Sequence, residues 1–520
     1  MPRDHNPLLI DNFNGLWKRG GQESVPLDHF SDCSDLVFNE GEFLSRPGED
    51  LFLIGIPPSN PYGSVARIYH YVFNNQVSGL LVLDTLGNIF HTTSPTPSSP
   101  ILSIIGMTDF AYASINGRAY ITPNDSINGL QNEFVYVYEG DGSLARKAGG
   151  KWPIGPNGFA AALSATAGNV AVGVHVFAVT YITNTGFETS PGPSADSIDP
   201  NKTYYFASAT ADGSHAIDLT NVPVSPDAFV TTRRIYASQA IDPTLFTGDV
   251  TQYELFLIPG ADLNDNTTTS TTVNFYDAEL LQSSDDLFDL FANIPAGVNI
   301  TLFNNRMVLS APYGDQSSVT TAGLISTAYV SNPGMPEAVN MVSGLIVAPL
   351  DGYPLTNAQG FRGTLYMFKQ TRTYAYNDNG DVPSSWPLTV IDEGIGASVH
   401  GIATVLDSGG VNIDALLLVD YSGIMYFNGI YIRPELSFKI RDLWLGLDRD
   451  FFQNIQFLND SLNQYLYITL PNNQMLFGDY SENLDPIKIK WCPWTFNNQI
   501  STIALVDTDK LIIGSRANNT

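Results

Sequence analysis

Paired carboxylates are the first groups in this sequence whose spacing could support catalysis, because glycoside cleavage uses two Asp or Glu side chains about 5–10 Å apart. Two pairs stand out, Asp392 with Glu393 and Asp507 with Asp509. Neighbouring residues on a strand point to opposite faces, so Asp392 and Glu393 are not expected to share a site. Asp507 and Asp509 would share a face, but Asp is common in turns and a solvated turn is the favoured interpretation.

Metal-ligating side chains are scattered through the chain. The 7 histidines show neither HExxH nor HxH spacing, so we interpret them as packing or surface residues. They are His5, His29, His70, His91, His175, His215 and His400. The segment 262–266 begins like a calcium loop, but it lacks the following glycine and has Val273 where the bidentate Glu belongs. We therefore predict a hairpin loop there, and neither a metal nor a cofactor anywhere in the chain.

The two cysteines, Cys33 and Cys492, have no zinc-type spacing and are expected to be free thiols. A bridge between them stays open if the first strand region joins the last sheet, since a disulfide needs close Cα atoms. No phosphate-binding GxxxxGK[ST] loop and no GxSxG nucleophile elbow are present. The sequence therefore favours a protein that is not an enzyme.

Two groups of aromatic residues allow either binding or burial. Trp491, Trp494 and Phe496 lie close together in KWCPWTF and are expected to fill a core rather than to form a sugar-stacking platform. Trp17 lies instead in a glycine-rich opening segment with no local sheet to bury it. Because tryptophan is enriched at interface hot spots, Trp17 is the candidate interface residue, as an anchor into a neighbouring subunit or an adjacent protein.

The elements that would position these residues are short strands joined by tight turns. The stretch 405–431, VLDSGGVNIDALLLVDYSGIMYFNGIY, predicts three strands with Ser-Gly and Asn-Gly turns, which accept positive φ readily. The same arrangement of strand, tight turn and strand recurs with different residues in NNQVSGLLVLDTLGNIFHTT, FAYASINGRAYITP, TLFNNRMVLSAPYG, GFRGTLYMFKQTRTYAYNDNG and LNQYLYITLPNNQMLFGDY. Recurring units of blade size predict a β-propeller.

Composition limits the possible functions. The 52 acidic and 24 basic residues among 520 give a formal charge of −28, which argues against binding nucleic acid through phosphate neutralisation. The opening residues do not form a secretory signal, and no apolar run is long enough for a transmembrane helix, so no membrane-spanning segment is expected.

The order of segments predicts an all-β chain in four parts. Residues 1–60 are irregular and glycine- and proline-rich, and are expected to form an extended N-terminal arm with a hairpin. Residues 61–155 and 286–520 have the propeller pattern, while 156–285 resemble a small inserted β-sandwich of the immunoglobulin or fibronectin III type. The Ser-Ser-Asp-Asp start of 282–295 predicts a short helix at the exit of this insert.

These segments together resemble the β-propeller proteins of phage tails, and in particular the tail nozzle, or tail tubular protein B, of short-tailed phages. The segments that carry the resemblance are NFNGLWKRGGQESVPLDHFSDCSDLVFNEGEFLSRPG, NITLFNNRMVLSAPYG, STAYVSNPGMPEA, LYMFKQTRTYAY and LLLVDYSGIMYFNGIY. They cover most of the chain outside the insert. Many nozzle proteins are longer and carry extra platform domains, so this chain would be a reduced version.

The resemblance implies a structural virion protein of the tail, assembled in the host cytoplasm. Its partners would be copies of itself in a six-fold ring and a tail adaptor or connector protein, with a tail fibre or needle as a further candidate. Genomic DNA would pass transiently through the ring without sequence-specific binding, and inward-facing acidic residues would repel it. The alternative that the sequence leaves open is a propeller that binds or cleaves carbohydrate on the host surface.

Overall fold

The fold is described from a computed structural model of the chain. The described residues are 15–19, 26, 29–39, 42–46, 64–73, 77–92, 99–125, 130, 133–150, 153, 158–191, 206–248, 253–280, 293–312, 325–340, 344–407, 412–506 and 510–516. Within these ranges strands dominate, and the fold is all-β, as the sequence predicts. The one α-helix of the described residues is α1, Arg441–Leu445. The helix predicted over 282–295 lies almost entirely outside the described residues.

The chain folds into two compact units. The first comprises Met1–Arg146, Pro295–Tyr329 and Gly344–Thr520, and the second comprises Lys147–Ile294 and Val330–Ser343. The interval 156–285, expected from the sequence to be an insert, lies inside the longer segment of the second unit. The second unit also includes a short segment from later in the chain, which the sequence did not indicate.

The strands follow one another closely along the chain. The first ten are β1 (Leu36–Asn39), β2 (Glu42–Ser45), β3 (Val65–Phe73), β4 (Val77–Asp84), β5 (Asn88–Thr92), β6 (Leu102–Ser103), β7 (Asp109–Ile115), β8 (Arg118–Asn124), β9 (Tyr136–Tyr138) and β10 (Arg146–Lys147). The next seven are β11 (Ala160–Ala167), β12 (Gly173–Thr183), β13 (Ala207–Ala211), β14 (His215–Thr220), β15 (Val230–Ala237), β16 (Phe256–Leu257) and β17 (Ser270–Val273). The rest are β18 (Asn299–Phe303), β19 (Arg306–Ser310), β20 (Thr327–Asn332), β21 (Met335–Val339), β22 (Leu345–Ile346), β23 (Leu355–Phe361), β24 (Thr364–Lys369), β25 (Thr373–Asn377), β26 (Leu388–Asp392), β27 (Ile402–Leu406), β28 (Ile413–Asp420), β29 (Gly423–Phe427), β30 (Tyr431–Ile432), β31 (Phe457–Asp460), β32 (Tyr465–Leu470), β33 (Gln474–Asp479), β34 (Lys490–Thr495), β35 (Gln499–Val506) and β36 (Lys510–Arg516).

Besides the hairpin β1-β2, the described part of the first unit contains seven antiparallel sheets, which we number in chain order. Sheets 1, 2, 4, 5 and 6 are four-stranded meanders, namely β3-β4-β5-β6, β7-β8-β9-β10, β23-β24-β25-β26, β27-β28-β29-β30 and β31-β32-β33-β34. Sheet 3 runs β18-β19-β20, with β22 paired to β20, and sheet 7 is the pair β35-β36. The end of β20 that belongs to the second unit pairs there with β21. Consecutive meanders of this size are the blades of a β-propeller, which the sequence predicted.

The residues of the hairpin turns explain why neighbouring strands of a sheet are joined by so few residues. The central residues of three turns, Asn116-Gly117, Asn304-Asn305 and Arg362-Gly363, all have positive φ, between 46° and 77°. Two such residues form the type I′ turn, whose twist matches that of the flanking strands. Asn and Gly adopt this conformation at little cost, so local sequence fixes the register of each hairpin.

The first strand of each sheet faces the centre of the unit. Neighbouring first strands contact one another around most of the ring, and β35 of sheet 7 returns to β3 of sheet 1. This closure includes a hydrogen bond from Ser501 Oγ to Val65 O (2.6 Å) and another from Ile68 N to Thr502 Oγ1 (3.0 Å). Sheets 4 and 5 are linked by Asn357 Nδ2, which donates to Val399 O (2.7 Å). The seven sheets therefore form a closed propeller.

The N-terminal segment packs on sheets 6 and 7. Leu16 N donates to Trp491 O (2.9 Å), and Asp35 N donates to Pro493 O (2.9 Å), so the segment extends the outer edge of β34. Phe38 of the hairpin β1-β2 is buried in an apolar cluster with Trp494 and Ile503. The beginning and the end of the chain are thereby joined in one core.

The second unit is a β-sandwich. One sheet has the order β11-β14-β17 and the other β13-β12-β15-β16, with antiparallel pairing in both. Side chains of the two sheets share one core that includes Phe177, Ile217, Leu219, Ile235 and Phe275. This architecture matches the small sandwich that the sequence predicted for the insert.

Candidate functional site

A cavity of about 430 Å³ lies at the centre of the propeller. It is lined by the first strands of all seven sheets or by residues that directly precede them. These are residues 68–70, 111–114, 299–302, 357–359, 399, 400, 402, 456–458 and 503–505. The centre of the ring is therefore the place where side chains from distant parts of the sequence meet.

Burial decreases from the start toward the middle of several of these strands. Residues at the start of the first strands, such as Asp109 and Gln456, are buried, while Ser114 and Leu302 further along are exposed. The cavity thus has a closed floor and an open mouth. A buried polar network, which we call the floor network, lies at the floor and consists of Arg67, Tyr69, Asp109, His400, Gln456 and Thr502.

The floor network contains a buried bidentate ion pair between sheets 1 and 2. Arg67 Nε donates to Asp109 Oδ1 (2.7 Å), and Arg67 Nη2 donates to Asp109 Oδ2 (2.9 Å). The two side chains are 6% and 2% exposed. This planar fork is the strongest geometry for a guanidinium and a carboxylate, and it compensates the cost of taking both charges out of water.

His400 connects this pair to the opposite side of the ring. It precedes β27 of sheet 5, and its Nε2 lies 2.5 Å from Asp109 Oδ2. Its Nδ1 lies 3.1 Å from the hydroxyl of Tyr69. Because sheets 2 and 5 are not neighbours in the ring, the contact between Asp109 and His400 crosses the channel of the propeller.

Gln456 and Thr502 extend the network to sheets 6 and 7. Gln456 Oε1 accepts from Arg67 Nη1 (3.3 Å), from Thr502 Oγ1 (2.8 Å) and from Ile503 N (2.8 Å). Gln456 Nε2 donates to Ile503 O (2.7 Å). Both ends of the amide are therefore hydrogen bonded, which holds the first and last sheets of the ring together.

The charges of the floor network follow from its contacts. Burial would raise the pKa of Asp109, but the charge of Arg67 and the hydrogen bonds from Arg67 and His400 hold it well below its usual range. Burial, followed by the nearby charge of Arg67, lowers the pKa of His400, and burial raises the pKa of Tyr69. At neutral pH Asp109 is thus ionised and His400 is neutral, with Nε2–H donating to Asp109. The Tyr69 hydroxyl donates to Phe110 O (3.1 Å) and lies 3.1 Å from His400 Nδ1.

This arrangement is suited to holding the ring rather than to proton transfer. Asp109 is occupied by Arg67 and His400, and both nitrogens of His400 are within hydrogen-bonding distance of protein groups. A general base would have to reach a proton on a substrate, which requires one of these bonds to break. The chemistry that the floor network supports best is a buried electrostatic link among sheets 1, 2 and 5.

The predicted interface residue, Trp17, is half-buried against its own chain. Its ring contacts His29 and Phe438 edge-on, at centroid distances of 5.1 Å and 6.4 Å. Its Nε1 donates to Arg19 O (3.1 Å). That Trp17 anchors a neighbouring subunit stays a prediction, because the contacts of Trp17 in this structure are with its own chain.

The other candidates from the sequence do not join the central site. Asp392 Oδ1 accepts from Gly394 N (2.7 Å) and Ile395 N (2.8 Å), as in a turn, and Asp507 and Asp509 lie outside the described residues. Asp265 Oδ1 accepts from the backbone of Thr267 and Thr268 (both 2.7 Å), as in a turn. No group of three or more His, Cys, Asp or Glu side chains suited to a metal ion occurs in the described parts of the chain.

The aromatic cluster and Cys492 lie beneath the N-terminal segment, which itself carries Cys33. Trp491, Trp494 and Phe496 are buried, which confirms the predicted core role. Cys33 and Cys492 are free thiols, and Leu36 N lies 3.4 Å from Cys492 Sγ. A hydrogen bond between the two thiols raises the pKa of Cys33 and lowers that of Cys492.

Sequence reasoning did not identify the floor network. Arg67 and Asp109 are 42 positions apart, and Asp109 and His400 are 291 positions apart. The available signal was a charged residue inside an apolar strand, since Arg67 interrupts VARIYHYVF. A charge in the middle of a central strand needs a buried partner, but the sequence does not show which residue that is.

No protein-family model matches the chain, and no curated protein matches it. Among solved structures, BamB from Moraxella catarrhalis is 7% identical with a TM-score of 0.34, covering 86% of this chain and 93% of that one. U3-55K is 9% identical with a TM-score of 0.31, covering 89% and 90% of the two chains. A chain of the structure titled mitotic checkpoint complex is 8% identical with a TM-score of 0.26, covering 58% and 78%. At these values the similarities say nothing about activity or partners.

No described helix has the length and apolarity required to cross a membrane.

Proposed function

We propose that this protein is a structural component of a phage tail that forms a ring or nozzle around the path of genome ejection. The proposal starts from the resemblance of the sequence to tail nozzle proteins. The observation that supports it most directly is the floor network, in which Asp109 is bound by Arg67 of sheet 1 and by His400 of sheet 5. A ring of sheets linked through its centre resists deformation, as a tail component must during ejection.

The same network bears on where DNA would pass. The contact between Asp109 and His400 crosses the channel of the propeller, and the central cavity has a volume of only about 430 Å³. A duplex would therefore travel through the opening of a ring of several copies, not through the propeller of one copy. The formal charge of −28 would then keep phosphates from binding to the wall, provided that acidic side chains face that opening.

Subunit contacts would use exposed strand edges and apolar side chains. β26 is the outer strand of sheet 4, and Leu388 and Val390 on it are 41% and 51% exposed. An edge strand with exposed apolar residues is a natural surface for pairing with another chain. We propose copies of the same chain and a tail adaptor protein as partners, with a fibre or needle as a further candidate, in a virion tail assembled in the host cytoplasm.

Labelling of virions tests this proposal. An antibody raised against the purified chain should bind virions at the tail in electron micrographs, at the end from which DNA leaves. The control is the same antibody absorbed beforehand with the purified chain, which should remove the label. Virions from the source of this sequence that carry the protein nowhere on the tail would contradict the proposal.

A further inference from the structure

The described lining of the central cavity carries no acidic side chain although the chain is strongly acidic, and its histidines are His70 and His400. Of the described residues that line it, none is Asp, Glu, Lys or Arg, in a chain with 52 acidic and 24 basic residues. The charged members of the floor network, Arg67 and Asp109, lie behind the lining and neutralise each other. An ionic ligand would lose its hydration without gaining a partner of opposite charge, so the cavity favours an uncharged one.

One side chain in the lining has unused hydrogen-bonding capacity. Asn299 Oδ1 is buried and has no hydrogen-bond partner. Asn357, on the next first strand of the ring, provides the contrast, since its Nδ2 donates to Val399 O (2.7 Å) and its Oδ1 accepts from Ala358 N (2.8 Å). Because a buried amide oxygen without a partner is unfavourable, a turn of the Asn299 side chain that brings Oδ1 to the cavity surface would let a ligand hydroxyl donate to it and recover that free energy.

The remaining lining combines neutral polar groups with aromatic rings. Thr301 and Gln359 add a hydroxyl and an amide, and the Gln359 Nε2 is held loosely, 3.2 Å from Gly360 O. Tyr69 and Tyr112 lie side by side, with centroids 5.2 Å apart and ring planes at 59°. Aromatic walls with a few fixed polar groups are typical of small-molecule sites, whose volumes are about 300–1,000 Å³.

We propose that the central cavity binds a small uncharged polyhydroxylated molecule, either a free monosaccharide or the terminal sugar of a glycan. Asn299 and Gln359 would bind the hydroxyl groups, and the rings of Tyr69 and Tyr112 would contact the carbon–hydrogen faces of the sugar. The mouth near Ser114 and Leu302 is the entry. This site does not depend on the tail role, because its ligand is selected by the lining alone.

Ligand-observed NMR with named probes tests the site. We would record saturation transfer from the full-length protein to D-glucose, D-galactose, N-acetyl-D-glucosamine and D-glucuronate, each at about 10 mM, where millimolar affinity gives substantial occupancy. At least one uncharged sugar should show transfer, and D-glucuronate should bind at least about tenfold more weakly than D-glucose. An array of immobilised glycans with the same terminal sugars distinguishes a glycan end from a free sugar. No transfer to any uncharged probe, or equal binding of glucuronate, would overturn the inference.

Matched variants locate the binding. Asn299→Leu and Gln359→Leu should each weaken binding about tenfold, the usual effect of losing a hydrogen bond to a ligand. Gln499→Leu replaces an exposed amide on β35 outside the cavity and should leave binding unchanged. Thermal unfolding curves that match the curve of the wild type would show that the variants are folded. Two cavity positions are substituted so that, if one variant misfolds, the other still tests the site. Binding that survives both cavity substitutions would place the sugar elsewhere and overturn the inference.

Discussion

His400 Nε2 lies 2.5 Å from Asp109 Oδ2, although the two residues are 291 positions apart and belong to sheets on opposite sides of the propeller. The bidentate contact of Asp109 with Arg67 adds the first sheet to the same link. One carboxylate therefore holds three sheets of the ring. The proposed mechanical role depends on this link.

Breaking the buried ion pair should destabilise the propeller strongly. Arg67→Met and Asp109→Leu each leave an unpaired buried charge, and each should lower the free energy of unfolding by about 3–5 kcal/mol. The double variant removes both charges and should lose much less than the sum of the single variants. Urea unfolding followed by the fluorescence of the buried Trp444 and Trp491 measures these values.

The exposed pair Arg362–Asp414 is the matched control for this prediction. Its side chains are 53% and 56% exposed at an N–O distance of 3.0 Å. Arg362→Met should change the free energy of unfolding by no more than about 1 kcal/mol, because solvent screens such a pair. Equal effects at Arg67 and Arg362 would mean that the buried pair does not hold the ring.

His400 should make the protein less stable in mild acid. Its pKa in the folded protein is lowered from 6.5 by burial and by Arg67, so below pH 6.5 the unfolded chain binds more protons than the folded one. Stability should therefore fall as the pH drops from 6.5 toward the folded pKa, by up to about 1.4 kcal/mol per pH unit. Asp109 contributes in a separate range, since its depressed pKa gives stability that is lost only below about pH 3.8.

Comparison with His400→Gln isolates this effect. The amide of Gln can still donate to Asp109 but does not titrate, so the variant should show a shallower loss of stability between pH 6.5 and 5 than the wild type. Thermal unfolding at a series of pH values provides the measurement. Parallel pH profiles for the two proteins would show that His400 is already protonated or that it does not report on folding.

Gly15 should control the attachment of the N-terminal segment. It has φ +80°, and a Cβ there would lie 2.8 Å from Trp491 N and 2.9 Å from the Cα of Lys490. Gly15→Ala should therefore separate the segment from β34 and speed tryptic cleavage at Lys18 and Arg19 about tenfold or more. Gly142→Ala is the control, because Gly142 has a similar φ of +83° with no atom within 4 Å. Cleavage of Gly15→Ala no faster than that of Gly142→Ala would show that the segment stays on β34 despite the added Cβ.

Trp17 should contribute to assembly as well as to its own chain. Trp17→Ala is expected to lower the fraction of protein in the ring, since interface tryptophans carry a large share of binding energy. Leu245→Ala, at a position 70% exposed in the second unit, is the control and should leave the mass distribution unchanged. A Trp17→Ala protein that is less stable but assembles normally would limit Trp17 to its contacts with His29 and Phe438.

Features that depend on neighbouring residues were predictable from the sequence, whereas contacts between residues far apart in the chain were not. The strands and turns around Asn116-Gly117 and Arg362-Gly363 were predictable, because turn type is fixed by neighbouring residues. The burial of Trp491 and Trp494 was predictable from apolar clustering. The floor network was not, because Arg67, Asp109 and His400 come together only when the ring closes. The role of Asn299 likewise depends on which atoms surround it and has no local signature.

The mass of the purified protein in solution, with negative-stain images of the same sample, tests the central claim most directly. The proposed tail role predicts a ring of six copies of the 56.6-kDa chain, formed alone or after addition of tail proteins, with an opening wide enough for duplex DNA. A chain that stays monomeric at every concentration and joins no tail assembly, yet is retained by immobilised glycans, would contradict the structural role and favour the carbohydrate-binding one.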